Sequence, residues 1–554
     1  KEHLDFIVIT DILKNHLLPH VGTSYEAKAY NLGCMVRELL DVYIGYKRTT
    51  DRDSFINKTI DLSGFLVGTI FRDLYFRLKN HIEYSINTRH SKLIEQLKAG
   101  SADGDISDIR VNNIEHIINE TNIYNIFTYA WIEDGMRYAF KNIWGLKGAT
   151  GGKEGLVQDL NRLSFLGTIS HLRRFNTPLS DSAKVRAPHS LHATSLGIMC
   201  PLETPDGGNI GLRKNLSLLA QITFGSSSKS LHVCFRAFDM LYLHEVTKEE
   251  IQYYPRILLN EVFIGIHKDP LMFVRLLKAH RRNALINIYT SISWNCDEKT
   301  IRINTYNGRG CRPILIASKR DKFIEKINKL NTGENWYNMI QGDAKLNELS
   351  SIAKETGISR YDPYDNTYYY PDILISKIVQ KLAGKRAGGS TEVQVDKYLV
   401  HKVLVENLEE MGGIIEYIDA EEMNVSTIAV YPNQLYDGSG PDGTLDKGEG
   451  DNNTHDAVIA SYTHCEIHPT LMFGALASII PFGDSNQLPR DLFSTGQTKQ
   501  ALSVYTSNYQ NRMDTEGQII YYGHRSLVRT RYEPYMHLNK MPCGMTAMVA
   551  IISY

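Results

Sequence analysis

The residues best suited to chemistry lie in the C-terminal part of the sequence. Arg490 closes the loop PFGDSNQLPR, just ahead of STGQTKQALSVY, which reads as a helix capped by Ser494 or Thr495. A helix N-terminus carries unpaired N–H groups and partial positive charge, so it favours phosphate. Arginine adds a planar fork that matches phosphate oxygens. The same helix would set Lys499 and Gln500 beside each other in its middle turns. On physical grounds this is the strongest anion site in the chain.

A second candidate is the run 161–222. It holds Arg162, Arg173, Arg174, Lys184, Arg186, Arg213 and Lys214 against Asp181, Glu203 and Asp206, with His171, His189 and His192 as neutral donors. Basic side chains on irregular loops rich in Pro and Gly suit a sugar-phosphate backbone. A solvated charged face is the ordinary alternative, and the mixture with Pro, Gly and His favours a functional loop.

Other constellations are weaker. His464, Cys465 and His468 are close enough to suggest a metal, but no fourth ligand is evident and an apolar run follows, so they read as buried, hydrogen-bonded side chains. GLKGATGGKEG lacks phosphate-loop spacing and reads as a surface loop. LLKAHRRN could bind phosphate, but cations also suit a helix C-terminus, and the structural reading is favoured. The acidic, Gly-rich 436–453 reads as a flexible loop, its spacing wrong for calcium.

The elements that must position these residues change along the chain. Residues 1–140 read mainly as amphipathic helices, such as EAKAYNLGCMVRELLDVYIGY. Residues 223–430 alternate β-rich stretches (EVFIGIH, RPILIAS) with helices (LMFVRLLKAHRRN, KFIEKINKL), an α+β pattern. The tyrosine-rich ISRYDPYDNTYYYPDILI reads as a β-rich packing segment. With 554 residues, 42% of them hydrophobic, the chain exceeds what one core can hold, and three to five domains are expected. Formal net charge is -1, so a nucleic-acid surface must be local. The seven cysteines form no CxxC pair, which signals neither a zinc ribbon nor a disulfide scaffold and suits buried thiols in a reducing compartment. No apolar run reaches the roughly 20 residues a membrane span needs. The start lacks Met and the end, MVAIISY, is a β-rich run without a turn, so truncation at both ends is expected.

Several long motifs, in order, resemble one family. SHLRRFNTP (170–178), CPLETPDG (200–207) and GLRKNLSL (211–218) resemble the fork region of the second-largest subunit of eukaryotic-type, multisubunit DNA-directed RNA polymerases. THCEIHP (463–469) to NRMDT (511–515) resembles the start of that subunit's hybrid-binding region, and TDRDSFINKTIDLSG (50–64) and EYIDAEEMN (416–424) match as well. The resemblance implies a multidomain α+β architecture: 1–55 the end of the lobe, 56–150 the returning part of the protrusion, 151–222 the fork, 223–455 the external domains, and 456–554 the start of the hybrid-binding domain.

It also implies a chemistry. RNA is extended on a DNA template by in-line attack of the 3′ hydroxyl on an NTP, between two magnesium ions. Mg2+ is held mainly by the largest subunit, and the acidic motif this subunit offers would begin where AIISY ends, so the fragment is not expected to be active alone. By resemblance, Arg490 contacts NTP phosphates. Lys499 and Gln500 lie near the RNA–DNA hybrid, and Arg173, Arg174, Lys184 and Arg186 near the downstream edge of the bubble. Glu203 supports the active centre or holds a neighbouring arginine in place. The implied partners are the largest and smaller polymerase subunits, DNA template, RNA transcript and NTPs, with no membrane.

The sequence departs from the family in ETPDG for ETPEG, in NIGL, in the fork loop LSDSAKVRAPHS and in the acidic loop. These departures suggest a divergent lineage, a large DNA virus of eukaryotes before a divergent eukaryote. The compartment would be the nucleus, or the host cytoplasm and its viral factory. The alternative function is a non-catalytic nucleic-acid-binding or assembly scaffold that has kept the fold.

Overall fold

In the computed structural model the described residues are 9–100 (side chains to 95), 117–128, 130–141, 144–145, 156–179, 185–319, 322–324, 336–341, 375–376, 378–379, 397–436 and 462–553. Lys184, the tyrosine-rich segment up to residue 374, the acidic loop after residue 436 and nearly all of GLKGATGGKEG lie outside them. The chain divides into two compact units, one of residues 61–163 and one of residues 1–60 with 164–554.

The smaller unit is helical. A 38-residue helix, Ser63–Gly100, and the helix Ala130–Lys141 bury Ile70, Leu74, Ala139 and Trp144 against one another. Gly135 lies against Leu74, where a Cβ would stand 2.3 Å from a leucine methyl.

In the larger unit, after short turns at Ile12–His16 and Pro19–Val21, comes helix α1 (Tyr25–Ile44), which Ser24 caps through Ala27 N–H and Gly45 ends at φ 90°. Helix α2 (Phe165–Leu172) follows, then strand β1 (Arg174–Asn176), which pairs antiparallel with β2 (Arg213–Asn215). A five-stranded sheet is built from β4 (Leu241–Tyr242), β5 (Arg256–Leu259), β6 (Val262–Ile266), β7 (Ser291–Asn295) and β8 (Thr300–Asn304) in the order 4-6-5-8-7. Helix α3 (Pro270–Arg282) and helix α4 (Lys397–Met411) pack against it. Phe273, Leu276 and Leu277 of α3 and Leu404, Val405 and Leu408 of α4 recur at three- and four-residue spacing, so each helix turns one apolar stripe inward.

A second sheet runs through β9 (Gly310–Ile316) and joins β3 (Gln221–Ile222), β10 (Ile415–Asp419), β11 (Ile428–Ala429) and β12 (His464–Cys465). Both β-rich expectations, EVFIGIH and RPILIAS, fall on strands, and the molecule is a mixed helix-and-sheet, multidomain α+β chain.

The EYIDAEEMN segment joins the second sheet to α3 by charge. Glu416 pairs with Arg281 (2.7 Å), Arg282 (2.8 Å) and His464 (2.8 Å). Glu422, on the short helix α5 (Ala420–Asn424), pairs with Arg281, and Asp419 caps that helix while binding Arg309 at 2.7 Å. Arg281, Glu416 and Glu422 are all essentially buried. Burial pushes the Glu416 carboxyl up, but Arg282 and Arg281 outweigh it and hold it well below the carboxylate range. The basic end of LLKAHRRN is therefore structural.

Candidate nucleic-acid interface

Four sequence segments converge on one buried carboxylate. Ser164 caps α2 by accepting Gly167 N–H at 2.9 Å, and its hydroxyl donates to the Lys499 carbonyl at 2.7 Å. This ties the start of SFLGTISHL to the end of helix α6 (Leu488–Thr498). Leu166 of α2 packs with Leu476, Met536 and Leu538, which fixes the helix.

At the other end of α2 the chain turns into β1. Its register sets Arg174 opposite Asn215 and Asn176 opposite Arg213. Directly opposed residues share a face of an antiparallel pair, and residues two apart share it too. Arg174, Arg213 and Asn215 therefore lie on one face. Phe175 and Lys214 lie on the other, where Phe175 packs beside Ile198 and Met199. The Lys214 ammonium donates to the Gly211 carbonyl. Gly211 itself sits at φ 73°, and a Cβ there would stand 2.1 Å from the His189 carbonyl oxygen, so the GLRKN turn requires glycine.

Glu203, 1% exposed, receives this face. Its Oε1 accepts from Ser170 Oγ at 2.6 Å and Asn215 Nδ2 at 2.9 Å, and the Lys499 ammonium lies 3.4 Å away. Asn215 Nδ2 also donates to the Ser170 carbonyl at 2.9 Å. The Gly474 backbone closes the other side, leaving room for Oε2 only because it bears no Cβ. Burial lowers the Lys499 pKa, Glu203 opposes that shift and Arg174 adds to it. Burial also lowers that of Arg174, with Arg213 adding and Glu203 opposing. Arg174 and Lys499 thus stand at a single carboxylate, with Arg213 beside Arg174, and the surplus of positive charge suits an anion.

The predicted residues divide by place. Arg174, Lys499 and Glu203 come together. Arg173 does not join them: its guanidinium donates to the carbonyls of Ser217 (2.7 Å) and Leu218 (3.2 Å). Arg186 is exposed beside a short 3-10 turn, Ala187–His189. Gln500 is exposed at the end of α6.

Arg490 is also exposed, with its guanidinium 6.0 Å from the centre of the Phe493 ring. The helix expected from residue 494 starts at Leu488, so Arg490 is in its first turn rather than before it, Ser494 and Thr495 lie inside it, and ALSVY is irregular. Pro489 pre-sets the first turn, and the Thr495 and Thr498 hydroxyls bond back to Leu492 and Ser494 carbonyls instead of capping. Asp491, Leu492, Thr495 and Lys499 follow the inward face at helical spacing. Arg490 is nine residues from Lys499, about half a turn out of phase, and points outward.

Sequence reasoning named His171 and Arg213 only as members of the basic run, assigned them no role, and passed over Asn215. The alternation in RKN, read against RFN as a hairpin pair, carries the signal for the latter two. His464 is buried, bonded to Glu416 at 2.8 Å and Thr463 at 2.9 Å, and Cys465 is in an apolar core, so the buried reading holds for these two. His468 departs from it: it is exposed, caps the short turn Pro469–Met472 and has its Nδ1 2.6 Å from Thr470 Oγ1. No described helix is long and apolar enough to cross a membrane.

Known families match this chain in four places: RNA polymerase Rpb2 domain 3 at residues 158–222, domain 4 at 257–318, domain 5 at 404–469 and domain 6 at 476–554. The first of these contains α2, β1, Glu203 and β2, and the last contains α6. The DNA-directed RNA polymerase II subunit RPB2 of Encephalitozoon cuniculi is 32% identical over 99% of this chain and 39% of its own length. The DNA-directed RNA polymerase II subunit 2 of Arabidopsis thaliana is 30% identical over 98% of this chain and 38% of its own. The DNA-directed RNA polymerase subunit Rpo2 of Sulfolobus acidocaldarius is 26% identical over 98% and 39%. The chain thus spans about two fifths of the length of these relatives. With four domain families in order and relatives aligned along almost its whole length, the chain belongs to the second-largest subunits of multisubunit DNA-directed RNA polymerases.

Proposed function

We propose that this chain serves template-directed RNA synthesis from NTPs, within a polymerase that also contains the largest subunit and smaller subunits. Its part is to hold nucleic acid and nucleotide. The observation that supports this is the gathering of Arg174 and Lys499, over three hundred residues apart in sequence, at Glu203, with Arg213 beside Arg174 on the same face. Three cations on braced elements offer a rigid surface to a phosphodiester backbone. Arg490, exposed in the first turn of α6, is placed for the phosphates of an incoming NTP, where helix end and guanidinium act together. Arg186 and Gln500 extend the basic and polar surface, and Lys184 is assigned with them from sequence. Arg173 braces the strand that carries Arg174.

We assign 1–55 to the lobe, 56–150 to the protrusion, 151–222 to the fork, 223–455 to the external domains and 456–554 to the hybrid-binding domain. The magnesium ions belong to the largest subunit in this reading. No cluster of three or more His, Cys, Asp or Glu side chains suited to a metal occurs among the described residues. The relatives named as RNA polymerase II subunits are eukaryotic, which supports a nuclear setting, with a cytoplasmic viral factory as the setting for a viral lineage.

The test is elongation by the reconstituted polymerase. Arg490→Ala should slow nucleotide addition on the order of ten- to a thousandfold while assembly is intact. Lys499→Met should weaken hybrid binding and reduce its salt slope by about one charge. Unchanged elongation at limiting NTP together with an unchanged salt slope would overturn the reading.

A further inference from the structure

His171 occupies the last turn of α2, half-buried, one residue beyond Ser170, which holds Glu203. Glu203, held by the neighbouring Ser170, lies 3.4 Å from the Lys499 ammonium at the end of α6, and Arg174 opens β1 three residues after His171, so both cations act on the imidazole. Arg213 from β2 and Glu203 from the loop before it act on the same cluster through Arg174, and the buried Cys200 thiol lies against Glu203. The imidazole thus sits inside a net positive field, set by a carboxylate that Ser170, Asn215 and Lys499 already engage. A docked polyanion reverses that field.

We propose that His171 is the titrating member of this cluster, taking up a proton as a phosphodiester backbone docks on Arg174 and Lys499. The inference rests on the phosphate-binding reading of the cluster given above. Without ligand, burial lowers the His171 pKa, and Arg174 and Lys499 lower it further. Phosphate oxygens neutralise both cations and favour the imidazolium, which then donates a charge-assisted hydrogen bond of its own. The helix C-terminus also favours a cation at this position. The site therefore grips more tightly as pH falls through the histidine range, and its affinity is linked to one proton. NTP binding at Arg490, on the outward face of α6, does not share this linkage.

The assembled polymerase, carrying the full-length subunit, is titrated calorimetrically with a defined RNA–DNA hybrid in buffers of different ionisation enthalpy. The wild type should take up more protons than His171→Gln, and its affinity should rise about three- to tenfold from about pH 8 to about pH 6. His171→Lys, a permanent cation, should bind tightly with that rise abolished, an outcome that loss of folding does not produce. Equal proton uptake in all three proteins, with hybrid binding retained and weakened by Lys499→Met, overturns the proton linkage and leaves the binding reading in place. Hybrid binding indifferent to Lys499→Met overturns both. His171-dependent uptake on adding NTP to an already loaded complex overturns the assignment to the hybrid backbone.

Discussion

The Lys499 ammonium lies 3.4 Å from the Glu203 carboxylate, with 14% and 1% of their side chains exposed. Lys499 stands at the end of α6, while Glu203 is fixed by α2 and β2 through Ser170 and Asn215. The pair therefore sets where a cation of one element stands relative to two others. Glu203→Gln keeps an oxygen for Ser170 and Asn215 but leaves Lys499, Arg174 and Arg213 without their counter-charge. Removing one partner of a buried pair costs about 3–5 kcal/mol, and the partial exposure of Lys499 puts this case at the low end. The expected result is a lower melting temperature for Glu203→Gln, part of which Lys499→Met restores in the double variant. A double variant less stable than the sum of the singles would contradict the pairing.

Arg281 is a second buried charge with a purely structural expectation. It serves Glu416, Glu422 and the Thr290 carbonyl at once. Lysine cannot reproduce that fork, so Arg281→Lys should be nearly as damaging as Arg281→Met. Each should cost about 3–5 kcal/mol, read as lost hydrogen-exchange protection in β10 and α3. Near-wild-type protection in Arg281→Lys would show that one charge suffices.

How far the sequence revealed this site depends on the range of the interaction. Pro270–Arg282 and Gly310–Ile316 were legible because both signals are local: apolar residues at helical spacing in the first, and a short β-rich apolar run, buried on both faces, in the second. The basic run and Glu203 were legible as types and, through the family motifs, as a group. Their division was not. Adjacent arginines, Arg173 and Arg174, differ only because one ends a helix and the next enters a strand. The start of α6 was misplaced because Ser494 and Thr495 look like caps, whereas Pro489 and the buried Asp491, Leu492 and Thr495 set the helix by packing. The EYIDAEEMN carboxylates are acidic in composition, yet their partners lie over a hundred residues away in sequence or across a sheet, beyond any local pattern.

His280 makes a pH prediction. It is fully buried in α3, its Nδ1 bonded to the Leu276 carbonyl at 2.6 Å, and burial pushes its pKa down to about 4. In the unfolded chain the imidazole titrates near 6.5, so below that pH the unfolded state binds a proton the folded state refuses. Its contribution to stability is complete above about pH 6.5 and is lost as pH falls towards 4. The loss amounts to about 3 kcal/mol at most. Hydrogen exchange in α3 should weaken over this window in the wild type. His280→Gln should be less protected at neutral pH, but with a flatter acid dependence. Parallel pH profiles in the two proteins would assign the acid sensitivity to other groups.

Arg173 and Arg174 offer the sharpest separation of structure from binding. The Arg173 guanidinium donates to the Ser217 and Leu218 carbonyls, so Arg173→Ala removes both bonds and leaves the Ser217 carbonyl only the Ala220 N–H, at about 1–3 kcal/mol. It should lower melting temperature and leave the salt slope of hybrid binding unchanged. Arg174 shares a face with Arg213 and lies near Glu203, in the positive field of the cluster. Arg174→Ala should reduce the salt slope by about one charge and weaken binding to hybrids of any sequence alike. Because the two residues are neighbours, expression and assembly serve as internal controls for each other. A salt slope reduced by Arg173→Ala but not by Arg174→Ala would reverse the two roles and move the phosphate path to the other side of the strand.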